Sequence, residues 1–365
     1  MAGFDRKAII VFTDGLENTA PMIRDVMGSI DSRTFAIGLG TETQISTAAL
    51  NALANGTGGY LLLTGLLGTR PDDTFLLTKY FLQILAGVTN TSVVLDPSGY
   101  IAPGTSLRIP FELNETDIDS TVILLSRTPV INIQVEAPDG ASRIDPANAA
   151  GLGAEFAEGT GMQYYRFALP VALGAGAHAG TWHALLRVDE RAFKRQLARL
   201  DNDPAGLSRA RAHGAQFSLV VQSYSNLRMQ ARLDQTSLQP GATITLSAVL
   251  KEYGIPVDHR ATVQAELLRP DNTTALLSLA EAEPGVFQVG VPATIAGIYR
   301  FRAMASGLTM RGTKFAREQL LTAAVFQAGD NPLPTGGGRD GKDSPPALPT
   351  AGMPGQAECA RSILH

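Results

Sequence analysis

The hydrophobic pattern of the chain changes character near residue 90. Before that point, continuous apolar runs such as Ala8-Ile9-Ile10-Val11-Phe12 alternate with stretches of helical period. A short β-branched and aromatic run without polar alternation is the pattern of a strand covered on both faces, as in a parallel sheet. Residues 34–39 and 60–63 repeat it, and helices are expected over 20–30, 45–54 and 72–87, the last behind Pro71 with acidic residues in its first turn. Three strands, each followed by a helix, predict an α/β unit over 1–88 in which right-handed crossovers make the strands parallel.

Beyond Asn90 the apolar positions come in short segments divided by turn formers. Strands are expected over 92–95, 107–113, 121–125, 131–135, 164–171, 181–188 and 217–224, with Asp96-Pro97-Ser98-Gly99 and Pro138-Asp139-Gly140 as turns. This spacing predicts an antiparallel β-sandwich over 89–226, carrying an Arg/Ala/Leu-rich helical insertion over 190–213 that breaks at Pro204-Ala205-Gly206. A second block, 227–328, contains Thr243-Ile244-Thr245-Leu246-Ser247-Ala248-Val249-Leu250, which alternates with period two, as do 261–267 and 299–305. Pro240-Gly241, Asp271-Asn272 and Pro284-Gly285 mark its turns, and its length suits an immunoglobulin-like β-sandwich. Residues 329–365 are rich in Pro and Gly and lack aromatics, so a disordered tail is expected there. The expected fold class is thus α/β plus all-β.

Composition narrows the function. The formal charge of -4 gives no global attraction to nucleic acid or to an anionic membrane. Arg191, Lys194, Arg195, Arg199, Arg209 and Arg211 are interleaved with Asp189, Glu190, Asp201 and Asp203, which cancels their field, so no nucleic-acid partner is expected. A single cysteine, Cys359, excludes an intrachain disulfide and a Cys-based metal site. The apolar stretch 75–88 is shorter than the ~20 residues of a spanning helix and contains Lys79 and Gln83, so no membrane-spanning segment is expected. No signal-peptide pattern opens the chain, and as written it reads as cytoplasmic. Nucleophile elbows, phosphate loops and helical zinc motifs are also missing, so the chain reads as a non-enzyme.

Chemistry concentrates in Lys7-Ala8-Ile9-Ile10-Val11-Phe12-Thr13-Asp14-Gly15-Leu16-Glu17-Asn18-Thr19. A buried strand there would deliver Asp14 to the carboxyl edge of a parallel sheet, where open α/β sheets bind ligands, and a carboxylate beside a glycine suits a hard cation. Glu17 and Asn18 offer further oxygens, although Asn18 or Thr19 also suits a helix cap.

This segment resembles the fourth strand and following loop of von Willebrand factor type A domains. The likeness continues through Thr34-Phe35-Ala36-Ile37-Gly38-Leu39-Gly40, residues 45–54 and Gly58-Gly59-Tyr60-Leu61-Leu62, similar to that family's fifth strand, sixth helix and sixth strand. The resemblance implies a truncated type A domain, its second half, over 1–88. It also implies a metal-ion-dependent adhesion site, or MIDAS, holding Mg2+ or Ca2+ in intact relatives. Of that site's three loops, only the one carrying Asp14 has a match, and Asp-x-Ser-x-Ser occurs nowhere in the sequence. The metal site is therefore expected to be incomplete and to bind no ion tightly. The β-blocks look similar to modules of surface proteins related to calcium-activated chloride channel regulators, on Ser223-Tyr224-Ser225-Asn226-Leu227, Gln239-Pro240-Gly241, Pro284-Gly285-Val286-Phe287, Ala296-Gly297-Ile298-Tyr299 and Gly312-Thr313-Lys314-Phe315-Ala316-Arg317-Glu318. Intact relatives would be secreted or displayed at the cell surface.

Weaker candidates have plainer readings. Gly38-Leu39-Gly40-Thr41-Glu42-Thr43 mimics a dinucleotide fingerprint but lacks its third glycine, and Asp201-Asn202-Asp203-Pro204-Ala205-Gly206 opens like a calcium loop but has Ala212 at the twelfth position. Glu115, Asp117 and Asp119 alternate and are expected in a solvated turn, with calcium at a domain junction as the alternative. Together these readings predict a non-enzymatic adhesion-type or scaffold protein that binds a protein ligand. The alternative is a subunit of an obligate complex whose partner supplies the missing half-sheet.

Overall fold

The computed structural model describes residues 8–13, 23–30, 34–40, 61–65, 71–127, 129–173, 178–199 and 204–325. The helix expected over 45–54 and the tail 329–365 lie outside them. Strands β1 (Ile9–Thr13), β2 (Thr34–Gly38) and β3 (Leu61–Leu63) form a three-stranded sheet in that order, and both pairings are parallel. Of the helix expected over 20–30, the described residues form a single turn, Ile23–Val26, continued by the 3-10 turn Met27–Ser29.

The apolar stretch beginning at Phe75 belongs to the helix Pro71–Thr89, which is apolar on two sides because it lies between two layers. Leu76, Tyr80 and Ile84 cover Phe35, Ile37 and Leu62 of the parallel sheet. Phe75, Leu82 and Ala86 pack instead on Val93, Ile123, Leu125, Met162 and Val220. That cover buries Phe35, Ile37 and Leu62 but meets β1 at Phe81, against Phe12, and leaves much of β1 exposed. The run predicted to be buried on both faces therefore exposes Ile9 by 51%, Ile10 by 38% and Phe12 by 41%, with a Phe12–Phe81 ring contact at 4.9 Å.

The region after residue 90 is antiparallel throughout its described sheets. Strands β4 (Ser92–Leu95), β5 (Ser98–Ile101), β6 (Ser106–Leu113), β7 (Asp117–Ser126), β8 (Ile131–Glu136), β9 (Arg143–Ile144), β10 (Glu155–Gly159), β11 (Met162–Ala168), β12 (Gly180–Val188) and β13 (Ala215–Ser225) make two facing sheets. One runs β10-β11-β7-β13-β4 with β5 also on β13, and the other runs β6-β12-β8-β9. Between them lies a core that includes Val122, Leu124, Ile133, Phe167, Trp182, Leu186 and Leu219. Trp182 stacks on Phe167 and donates its ring N–H to the His178 carbonyl.

Two local expectations are corrected here. Ser98 and Gly99, expected in a turn, already pair with Ser218 and Phe217 as part of β5, and only Asp96-Pro97 links β4 to it. The insertion forms two helices, Glu190–Arg199 and Pro204–His213, so Pro204 opens a helix rather than breaking one; a first-turn proline has no amide hydrogen to leave unpaired. Gly214 then returns the chain to β13 at φ +92, where a Cβ would sit 2.2 Å from the Ile101 carbonyl oxygen.

Strands β14 (Leu227–Gln235), β15 (Ala242–Glu252), β16 (Ile255–Pro256), β17 (Ala261–Leu268), β18 (Thr274–Glu283), β19 (Val286–Ala293), β20 (Gly297–Leu308) and β21 (Lys314–Val325) follow, and all but the exposed β16 contribute to a second core that includes Leu227, Ile244, Leu246, Ala248, Leu250, Phe287, Tyr299, Phe301 and Phe315. The alternating segments expected within β15, β17 and β20 are all strands. One strand serves both walls: β18 pairs with β17 over its first part and with β19 beyond Ala280, with a bulge between Glu281 and Glu283. A second departure from two separate sandwiches is the contact of β21 with β4, where Glu318 lies opposite Val93. Through it the ladder becomes one path, β10-β11-β7-β13-β4-β21-β20-β17-β18-β19-β15-β14, within a 14-stranded sheet.

Side-chain amides complete this stitching. Gln319 exchanges both hydrogen bonds with the Ala231 backbone, at 2.8 and 3.1 Å, and Gln83 of the long helix does the same with Leu320, at 2.6 and 2.7 Å. A buried amide side chain can satisfy a donor and an acceptor at once, so it substitutes for a strand partner. The Leu63 amide donates to Thr322 Oγ1, which ties the parallel sheet to the same strand.

Candidate functional site

Asp14, the residue singled out as a metal ligand, lies outside the described residues, as do Glu17, Asn18 and Asp201 to Asp203. What the structure does place is the other acidic group, Glu115, Asp117 and Asp119, and it sends the three to different destinations.

The cause is a bulge. Asp119 lies opposite Tyr224 and Asp117 opposite Ser225, so Ile118 is an extra residue in β7. A bulge puts two successive side chains on one face and reverses the parity beyond them. Ile118 and Asp119 both open onto the outer face of the sheet, while Asp117 turns inward. The expectation of a solvated turn is corrected at Asp117, whose side chain is 0% exposed and pairs with the equally buried Arg317 of β21 at 2.7 Å.

Arg317 is satisfied on every side. Its Nη2 also donates to Ser225 Oγ, its Nε to the Leu227 carbonyl and its Nη1 to the Ala316 carbonyl. Asp117 in turn accepts the Asn114 amide at 2.8 Å, and Asn114 accepts from Thr116. Glu115 reaches the second module separately, accepting from Thr309 at 2.5 Å. Burial opposes its charge, but hydrogen bonds from Thr309 and Thr313 and the charge of Arg311 outweigh burial and hold its pKa below the ordinary value. A guanidinium thus occupies the center of the junction where a calcium ion was the alternative reading.

A second charged group sits nearby at the meeting of helix, β4 and β21. Lys79 pairs with Asp96 at 2.7 Å, both nearly buried, and Arg302 pairs with Glu318 at 2.8 Å. Burial pushes the Glu318 carboxyl up to about 7, against the pull of Arg302 and with the Asp96 charge adding to the rise. Lys79, which reads in the sequence only as an interruption of an apolar stretch, is part of this anchor.

On the outer face, the strand ends and the last turn of the long helix enclose an open groove of about 510 Å3. Ile118, 44% exposed, is its accessible apolar side chain, the buried Ile123 and Met162 form part of its floor, and Tyr164, Arg166, Asp119, Glu155, Gln222 and Tyr224 also line it. Register explains the grouping: Arg166 lies opposite both Thr121 and Glu155, and Tyr164 lies opposite Ile123. Arg166 holds Asp119 at 3.0 Å, and the Tyr164 hydroxyl donates to Glu155 at 2.6 Å. Burial, then the Glu155 carboxylate, pushes Tyr164 up to about 12, so it remains a neutral donor. The sequence did carry a signal for this face, since Met162, Tyr164 and Arg166 share strand parity, but the partners from β7, β10 and β13 depend on register.

His178 and His183, five positions apart in the sequence, have separate partners. His178 Nε2 lies 2.9 Å from the Asp117 carbonyl, and His183 Nδ1 is 3.7 Å from Glu136, a carboxylate whose pKa is lowered chiefly by its hydrogen bond from Arg108. Gly38 closes β2 and its carbonyl accepts the Thr64 amide; Thr41, Glu42 and Thr43 lie outside the described residues. Among the described residues, no helix is long and apolar enough to cross a membrane.

No family model and no curated protein matches this chain. Among solved structures, it is similar to a Bacillus licheniformis lipase in its propeptide form, with 14% identity and a TM-score of 0.36 over 65% of this chain and 42% of that one. A DUF4785 family protein from Legionella pneumophila is similar at 11% identity and a TM-score of 0.38, over 65% of each chain. A bacterial ice-binding adhesin of 1.5 MDa aligns at 12% identity and a TM-score of 0.21, over 65% of this chain and 66% of that one. The chain spans less than two-thirds of each, and likenesses this distant carry no argument about fold or function.

Proposed function

We propose that this chain is a non-enzymatic, adhesion-type or scaffold protein that binds a protein ligand. The observation that carries the reading is the outer groove, where the exposed Ile118 lies with two tyrosines and with the paired side chains Tyr164–Glu155 and Arg166–Asp119. Such a surface offers contact area and hydrogen bonds at low ordering cost, while Asp119 and Glu155 are each engaged as acceptors rather than poised beside a nucleophile. The coupled strands beneath would keep that face rigid. In the type A reading of residues 1–88, Asp14 belongs to an incomplete metal-ion-dependent adhesion site and takes no tight Mg2+ or Ca2+.

Surface plasmon resonance of the full chain against a panel of extracellular matrix and cell-surface proteins tests this. Saturable binding weakened at least about tenfold by Tyr164→Ala with Arg166→Ala is expected, a loss of about 1.4 kcal/mol. Binding to none of the panel, or turnover in a broad hydrolase screen that Glu155→Gln abolishes, would overturn it.

A second reading, a subunit of an obligate complex, is favored by β1. Among the described residues it pairs only with β2, and it exposes Ile9, Ile10 and Phe12 beside that open edge. An apolar edge strand is a template for pairing with another chain. Hydrogen exchange of the Ile9–Thr13 amides, with and without a polypeptide carrying Asp-x-Ser-x-Ser, separates the readings: new protection supports the complex, and unchanged exchange refutes it.

A further inference from the structure

We infer that Asp258, His259 and Glu281 form a surface site for a divalent transition-metal ion, with Zn2+ as its probe, independent of the groove and of Asp14. Potential ligand atoms of these three side chains all lie within 4.8 Å of one another. The donor set is one imidazole and two carboxylates, which distinguishes it from an acidic patch: imidazole nitrogen favors zinc and its neighbors over calcium or magnesium. Three protein ligands with an open fourth position is the arrangement of accessible zinc sites.

The geometry is close to what such an ion requires. With bonds of about 2.0–2.2 Å at a tetrahedral angle, adjacent ligand atoms are about 3.3 Å apart. His259 Nδ1 and Glu281 Oε2 are 3.1 Å apart, and the other ring nitrogen is 3.5 Å from Asp258 Oδ1. Since an ion takes only one ring nitrogen, Asp258 must swing about its side-chain bonds to join Glu281 on the Nδ1 side. At 55% exposure Asp258 has the room to do so.

Glu281, by contrast, is fixed. It sits at the bulge of β18, only 13% exposed, and accepts the Gly285 amide at 2.8 Å and the His259 amide at 3.3 Å. Hydrogen bonds of this kind orient a ligating carboxylate. Charge also leaves a place for a cation. The adjacent Arg260 turns away to Glu252 and the Leu308 carbonyl, and among the described residues neither Asp258 nor Glu281 has an ion pair with Lys or Arg. Sequence spacing hid the group, since Glu281 comes from a different strand than the Asp258-His259 turn.

The test is isothermal titration of the full chain with ZnCl2 at pH 7.5, with His259 followed by the 15N shifts of its ring. One saturable site is expected, weakened at least about tenfold in His259→Ala and in Asp258→Asn, with the His259 Nδ1 shift moving on titration. His259 is 85% exposed but sits at φ +51, where alanine is strained, so Asp258→Asn is the variant that tests the site with that backbone residue unchanged. Zinc binding unaltered by both substitutions, or no saturable binding, would overturn the site and leave a hydrogen-bonded turn. Calcium bound in preference to zinc would likewise overturn it, because the imidazole would then have no role.

Discussion

Strand β7 carries two aspartates separated by Ile118, and each pairs with an arginine, yet the pairs belong to different kinds of structure. Asp117–Arg317 is wholly buried between the two antiparallel modules, whereas in Asp119–Arg166 the side chains are 31% and 59% exposed on the groove. The chemistry is the same and the N–O distances are 2.7 and 3.0 Å. What differs is solvent. In water a carboxylate and a guanidinium each lose little when parted, while a buried partner left alone keeps a desolvated charge. The bulge at Ile118 is what divides the two fates, so a local backbone irregularity assigns one carboxylate to holding the modules and the next to the binding face.

Removing Arg317 is the harshest way to break this contrast. Arg317→Ala leaves Asp117 charged, buried and short of one partner, and it also strips donors from Ser225 Oγ and the Leu227 carbonyl. A loss of about 3–5 kcal/mol in urea denaturation is expected. A loss below about 1 kcal/mol would mean that water enters the junction and that the pair is no more than a surface bridge.

A pH titration probes the neighboring junction with the next largest effect. Glu318 has a folded pKa of about 7, above its ordinary 4.5, so the folded state binds its proton more tightly than the unfolded state. Its contribution to stability is fully present below the unfolded pKa and is lost as pH rises through about 7. The difference in unfolding free energy between wild type and Glu318→Gln should therefore shift toward wild type by on the order of 3 kcal/mol as pH falls from 8 to 4. The comparison is needed because His183 acts in the opposite direction: burial lowers its pKa, so its contribution is lost as pH falls through the same range. Arg302, Asp96 and Lys79 are the charged groups that act on Glu318, and Glu266 also pairs with Arg302. A flat difference across that range would show that Arg302 neutralizes the burial.

How far these junctions could be read from sequence depends on the distance over which each is determined. Period-two alternation in residues 243–250 located β15, and the parity of Met162, Tyr164 and Arg166 was visible within one strand. The bulge at Ile118 was not, because nothing in Asn114-Glu115-Thr116-Asp117-Ile118-Asp119 departs from a polar turn until β13 supplies the register. Gln83 and Lys79 are similar cases. On the helix they read as polar interruptions, and their value as partners for Leu320 and Asp96 exists only after distant strands have assembled. The apolar run of β1 misleads in the other direction, since composition alone does not distinguish a covered strand from an exposed edge.

The exposed pair provides the smallest effect and the sharpest control. Asp119→Ala removes a carboxylate that solvent already reaches and leaves Arg166, at 59% exposure, free to be hydrated. A change within about 1 kcal/mol in the same urea experiment is expected. Ligand binding is a different matter, since Asp119 orients Arg166 at the groove and its loss releases that guanidinium across the tyrosines. If Asp119→Ala destabilizes the chain as strongly as Arg317→Ala, then burial does not separate the two pairs and the groove is part of the folding core. If stability is kept and affinity falls, the bulge divides structure from recognition within a single strand.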